Sequence, residues 1–114
     1  MMWRLGDRVL AVWPGDGQWY PGVICGVEGE HFELQFDDGD RSLVPLSDIA
    51  RLEFSEGTVV QARLGRDLCY LPATVLKQQG SALLLRFPED IDAWTSVTLV
   101  RTNHDASRGW FTPN

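Results

Sequence analysis

Hydrophobic positions along the chain come in short runs rich in β-branched and aromatic residues, interrupted by Gly, Asp and Pro. Runs of that length and make-up predict strands joined by tight turns. No stretch of about ten residues shows the 3.6-residue apolar spacing of an amphipathic helix. In the first half the predicted strands cover residues 8–13, 19–28, 31–36, 42–44 and 49–52. Between them stand Pro14-Gly15-Asp16-Gly17, Gly29-Glu30 and Asp37-Asp38-Gly39-Asp40, each a strong turn signal. Ser47-Asp48 suits the start of a single helical turn ahead of the last strand.

The pattern occurs twice. At an offset of 51, Gly6 falls on Gly57, Val9 on Val60, Ala11 on Ala62, Asp16 on Asp67, Pro21 on Pro72, Leu34 on Leu85 and Phe36 on Phe87. A gap-free register over that span predicts two copies of one small β unit. After Phe87 this register is expected to be lost. Trp94, Val97, Leu99 and Val100 are then expected to supply the last strands of the second copy. The expected organisation is a first repeat over 1–53, a second over 54–102 and an irregular tail over 103–114. The fold class is all-β, with two small bent barrels in tandem.

Side chains on a strand alternate between faces. Val9, Ala11 and Trp13 therefore share a face, as do Tyr20, Gly22 and Ile24, and as do Phe32, Leu34 and Phe36. Trp13 ends its strand, Tyr20 opens the next and Phe36 ends the third. In an antiparallel meander these three positions meet at one rim, where the turn over residues 37–40 also departs. Three ring faces beside a carboxylate suit a weakly hydrated cation, such as a methylated ammonium group. Asp38 is the expected carboxylate, able to accept a hydrogen bond from an N–H that remains unmethylated.

These residues also match a family. Leu5-Gly6-Asp7-Arg8-Val9 through Trp13, the turn Asp16-Gly17-Gln18-Trp19-Tyr20-Pro21-Gly22, and Phe36-Asp37-Asp38-Gly39-Asp40 resemble the Tudor domain pattern. The resemblance covers about the first half, and the internal repeat extends it to a tandem arrangement. It implies an SH3-like bent five-stranded barrel per repeat and a cage that reads methyl-lysine or methyl-arginine on a protein tail. The cage residues it implies are Trp13, Tyr20, Phe36 and Asp38, with Asp40 and Asp16 on the rim. Many caged Tudor domains carry a further aromatic where this chain has Asp40, so one wall of the implied cage is open.

The second repeat has Leu64 and Leu71 where the first has Trp13 and Tyr20. Aliphatic side chains have no ring quadrupole, so this copy is expected to lack a cage and to serve a structural role. Trp19, with Leu10 and Val12, faces away from the rim and is expected to form the contact between repeats.

Charge and composition narrow the picture further. A formal net charge of −6 argues against broad phosphate-backbone binding and suits a basic partner, such as a histone-like tail. Arg63, Arg66 and Arg101 are the residues that could cluster into a local nucleic-acid site. Cys25 and Cys69 have no metal spacing with His31 or His104, and reduced thiols in an intracellular protein are expected. The Asp37–Asp40 turn is too short for a calcium loop. No nucleophile or phosphate loop accompanies the carboxylates. The expectation is therefore a non-enzymatic binding module, monomeric, without cofactor or metal, nuclear rather than cytoplasmic, with no membrane contact. The alternative is a protein-interaction scaffold without a methyl-dependent ligand.

Overall fold

The computed structural model describes residues 3–64 and 69–103. Among the described residues, ten strands form two antiparallel sheets. The first sheet contains β1 (Arg8–Val12), β2 (Trp19–Glu28), β3 (His31–Phe36), β4 (Arg41–Pro45) and β5 (Ile49–Arg51), in the order β4-β3-β2-β1-β5. The second contains β6 (Val59–Ala62), β7 (Leu71–Gln79), β8 (Ala82–Phe87), β9 (Ile91–Ser96) and β10 (Val100–Arg101), in the equivalent order β9-β8-β7-β6-β10. Two compact units divide the chain between Leu52 and Glu53.

Chain connectivity forces each sheet to curl. β4 and β5 stand at opposite edges of their sheet, yet only the 3-10 turn Leu46–Asp48 joins them. In a flat sheet those edges would lie about 19 Å apart, four spacings of about 4.8 Å. A three-residue 3-10 turn rising about 2 Å per residue spans only about 6 Å. The sheet must therefore roll until its edges approach. A β-bulge between Ile24 and Gly26 bends β2, adding the local twist that a rolled sheet needs. Val75 and Lys77 flank the matching bulge in β7.

Rolling gathers the alternate residues inside. Val9, Ala11, Ile24, Leu34, Phe36, Val44 and Ile49 form the buried core of the first unit. Each larger aliphatic or aromatic chain buried this way contributes about 1.5–3 kcal/mol of transfer free energy. Val60, Ala62, Ala73, Val75, Leu83, Leu85, Phe87, Val97 and Val100 are the buried counterparts in the second unit.

The repeat extends further than sequence identity suggests. The offset of 51 does not lapse after Phe87, because it carries Leu46–Asp48 onto the 3-10 turn Val97–Leu99 and Ile49 onto Val100. Residue identities diverged there while the strand order and the turn were kept. The same offset links details of the backbone. Gly6 N–H donates to the Ile24 carbonyl at 2.8 Å, and Gly57 N–H donates to that of Val75 at 2.7 Å. Both glycines lie at φ near +90°, at +88° and +89°, a region costly for a residue with a Cβ.

Gly22 sets how closely β2 and β3 approach at the rim. It pairs with Phe36, and a Cβ there would lie 2.9 Å from the Gln35 carbonyl oxygen and 3.2 Å from the Phe36 Cα. Both atoms are backbone and cannot swing aside. The second unit has Ala73 at the matching position, so its strands must accommodate a methyl group that the first unit excludes. Gly22→Ala is expected to lower stability by about 1–3 kcal/mol through overpacking. A fall in the urea midpoint at unchanged m-value would show it; an unchanged midpoint would mean that β3 shifts freely.

Candidate functional site

The rim at the ends of β1 and β3 and the start of β2 is built from the backbone outward. β1 stops at Val12, one residue before the predicted end, because Trp13 turns its N–H into the loop and donates to the Gln18 carbonyl at 2.9 Å. The Trp13 carbonyl accepts from Gly17 N–H at 2.8 Å and from Asp16 N–H at 3.3 Å. Pairing of Ala11 with Tyr20 and of Gly22 with Phe36 then brings both neighbouring strands to the same end of the sheet.

Three rings meet there. The Trp13 and Phe36 centroids are 5.4 Å apart at an interplanar angle of 84°, and those of Tyr20 and Phe36 are 6.5 Å apart at 86°. Both pairs are edge-to-face, an arrangement worth about 0.5–1.5 kcal/mol beyond area burial. Phe36 is only 3% exposed and belongs to the core, whereas Trp13 and Tyr20 are half-buried and pack against it. Phe36 is thus the floor, and the other two rings keep surface available to solvent.

The carboxylates divide their roles. Asp38 is exposed, and its Oδ1 accepts from the Asp40 N–H at 3.0 Å, which closes the hairpin turn. Asp40 is exposed as well. Its carbonyl accepts from the Phe36 N–H at 2.8 Å. Asp37 forms a bidentate ion pair with Arg8, one arm of which spans 2.8 Å. That hydrogen bond raises the Arg8 pKa above its ordinary value, so the guanidinium stays charged. Asp16 makes a contact that strand alternation does not reveal: its Oδ2 accepts from the Tyr20 hydroxyl at 2.5 Å. Only a folded loop shows which carboxylate meets a ring.

The second unit has Leu64 and Leu71 half-buried at the corresponding places and Phe87 buried. Two of the three arginines singled out from sequence come together there. The Arg101 guanidinium carbon lies 3.8 Å from the Tyr70 ring centroid and that of Arg63 lies 5.6 Å away; Arg66 lies outside the described residues. Trp94 is on β9 and is 51% exposed. His31 is exposed at the start of β3, and Cys25 and Cys69 are exposed as well. Leu10 and Trp19 are buried and Val12 is half-buried. The tail, which contains His104, Trp110 and Phe111, lies outside the described residues.

Two rolled five-stranded sheets, one carrying an aromatic rim, define a small all-β binding module with SH3-like architecture. Comparison with known proteins gives the family. Residues 5–52 match the family model described as the DNA repair protein Crb2 Tudor domain. Among solved structures, the chain resembles the crystal structure of Crb2 tandem tudor domains at a TM-score of 0.68 and 23% identity, over 99% of this chain and 88% of that one. No curated protein matches the chain. Residues 5–52 match the Tudor family model, and the chain as a whole has the fold of a tandem Tudor domain. The Tudor family is one of non-enzymatic binding modules.

The Arg8–Asp37 pair ties the start of β1 to the turn that follows Phe36. Their side chains are 41% and 14% exposed, so solvent screens the pair and its worth stays near that of a surface bridge. Arg8→Ala is expected to cost about 1 kcal/mol or less and to speed amide exchange at Gly39 and Asp40. Exchange unaltered at both amides would show that the pair does not hold the turn.

Proposed function

We propose that the first unit binds a methylated lysine or arginine on a basic, histone-like protein tail. The observation that carries this reading is the pair of half-buried rings, Trp13 and Tyr20, standing edge-to-face on the buried Phe36 at one rim. In this reading Trp13, Tyr20 and Phe36 are the ring faces of the cage. Each offers a methylated cation roughly 0.5–2 kcal/mol, more as water is excluded. Methylation favours the interaction because a larger, less hydrated cation costs less to desolvate. Asp38, Asp40 and Asp16 surround the rings with negative charge, which draws a Lys/Arg-rich tail at low salt. A nuclear, chromatin-associated setting follows from a ligand of this kind. The formal charge of −6 accords with a basic partner.

The second unit, with Leu64 and Leu71 in place of the two rings, plays no part in holding the cation. Its role is structural, or it holds residues flanking the modified side chain.

Trp13→Ala and Tyr20→Ala are each expected to remove measurable binding of a dimethyl-lysine peptide rich in Lys and Arg. Losing one ring's contribution of about 1–2 kcal/mol weakens binding roughly 5- to 30-fold even before the cage opens to water. Leu64→Ala and Leu71→Ala should leave the affinity within about twofold. Calorimetry on peptide arrays decides the matter. Equal affinity for methylated and unmethylated peptides, or binding indifferent to Trp13→Ala, would select the scaffold reading instead.

A further inference from the structure

The loop between β1 and β2 does more than connect two strands. A Cβ built on Gly15 would lie 2.5 Å from the Trp13 indole nitrogen, 3.1 Å from Cδ1 and 3.3 Å from Cε2. The indole therefore rests directly on the Gly15 backbone, in space that any other residue would fill. Gly15 is not among the glycines at positive φ, so its backbone does not require glycine. The one thing the missing side chain provides is room for the ring.

The next residue fixes the other wall. Asp16 Oδ1 accepts from the Gln18 N–H at 2.9 Å while Oδ2 accepts from the Tyr20 hydroxyl at 2.5 Å. One carboxylate thus locks the loop and the phenol ring together. The Trp13 carbonyl receives both Asp16 N–H and Gly17 N–H, so the loop that carries these contacts is itself anchored at Trp13.

We infer that Gly15 and Asp16 are positioning residues of the rim, which set Trp13 and Tyr20 in their binding orientation before a ligand arrives. Neither has to touch the cation. Their contribution is to remove the rotamer freedom that two large exposed rings would otherwise lose on binding. The second repeat is consistent in sequence: where Trp13 becomes Leu64, Gly15 becomes Arg66, so the room for an indole is given up with the indole. Asp67 persists at the place of Asp16 although Tyr20 has become Leu71.

The ligand readout of this inference rests on the proposed function, but the orientation readout does not. The probe is tetramethylammonium chloride, a bare methylated cation that makes no sequence-specific contacts, titrated while the Trp13 indole N–H resonance is followed by NMR and assigned with Trp13→Phe. Gly15→Ala and Asp16→Ala are compared with the parent chain, and thermal unfolding reports the fold. Gly15→Ala is expected to keep the unfolding midpoint, to move the indole N–H resonance of the free protein, and to weaken cation binding roughly tenfold. Asp16→Ala is expected to shift the Tyr20 ring resonances and to weaken binding by a similar factor. If Asp16→Ala fails to fold, Gly15→Ala alone carries the test. Unchanged indole and tyrosine resonances with unchanged affinity would overturn the inference while leaving the functional reading intact. Absence of binding by the parent chain would overturn the functional reading, and the free-state resonances would still decide whether the loop positions the rings.

Discussion

The constraint on which the rest depends is a short tether between the two edges of one sheet. Leu46–Asp48 links strands that a flat arrangement would hold far apart, and the chain resolves this by rolling. A rolled sheet has an inside, which small and aliphatic residues at alternate positions fill. It also has two open ends, where side chains at strand termini cannot be fully covered. An open rim is therefore a by-product of closure, and large rings placed at that end remain partly available. The second unit obeys the same tether through Val97–Leu99 and arrives at the same end with aliphatic residues instead.

This geometry explains how Phe36 can belong to the core and still touch both rings of the candidate site. Its ring is buried by the barrel interior, yet its edge-to-face partners are the rings at the rim. Stability thus fixes the floor on which Trp13 and Tyr20 stand. Phe87 keeps the same buried place in a unit that has lost both partners, which separates the two roles. The core duty is retained in both copies and the rim duty in one.

Much of the fold was legible in the sequence because the first unit is built from alternation and turn residues that act locally. β2 and β3 coincide with the predicted runs, and β1, β4 and β5 differ only at their ends. Trp13 fell outside β1 because its N–H serves the loop, a choice no periodicity records. Of the residues expected in the last strands of the second unit, Trp94 lies on β9 and Val100 on β10, whereas Val97 and Leu99 form the 3-10 turn between them, which the offset would have placed had divergent residues not concealed it. At the rim, strand parity was enough to bring Trp13, Tyr20 and Phe36 together. It could not assign the carboxylates. Asp38 closes its own turn while Asp16 reaches the phenol, and both outcomes depend on loop conformation rather than on spacing. Gly15 read only as a turn former, because the indole resting on it is a tertiary contact.

The bulge in β2 has a consequence for chain length. Before it, even-numbered residues Tyr20, Gly22 and Ile24 face inward; after it, Val27 pairs with the inward-facing Phe32, so the parity has switched to odd. Removing one residue at Cys25 would restore a regular ladder and leave Ile24 opposite Leu34, with every residue upstream on the face it already has. Trp19 and Tyr20 would keep their faces, each one residue closer in sequence to β3. A one-residue deletion at the bulge would thus keep the same aromatic at the rim while changing its distance in sequence from the turn that follows. Relatives of different length in this strand cannot be aligned at the rim by counting from the turn over residues 29–30, only by counting from the bulge.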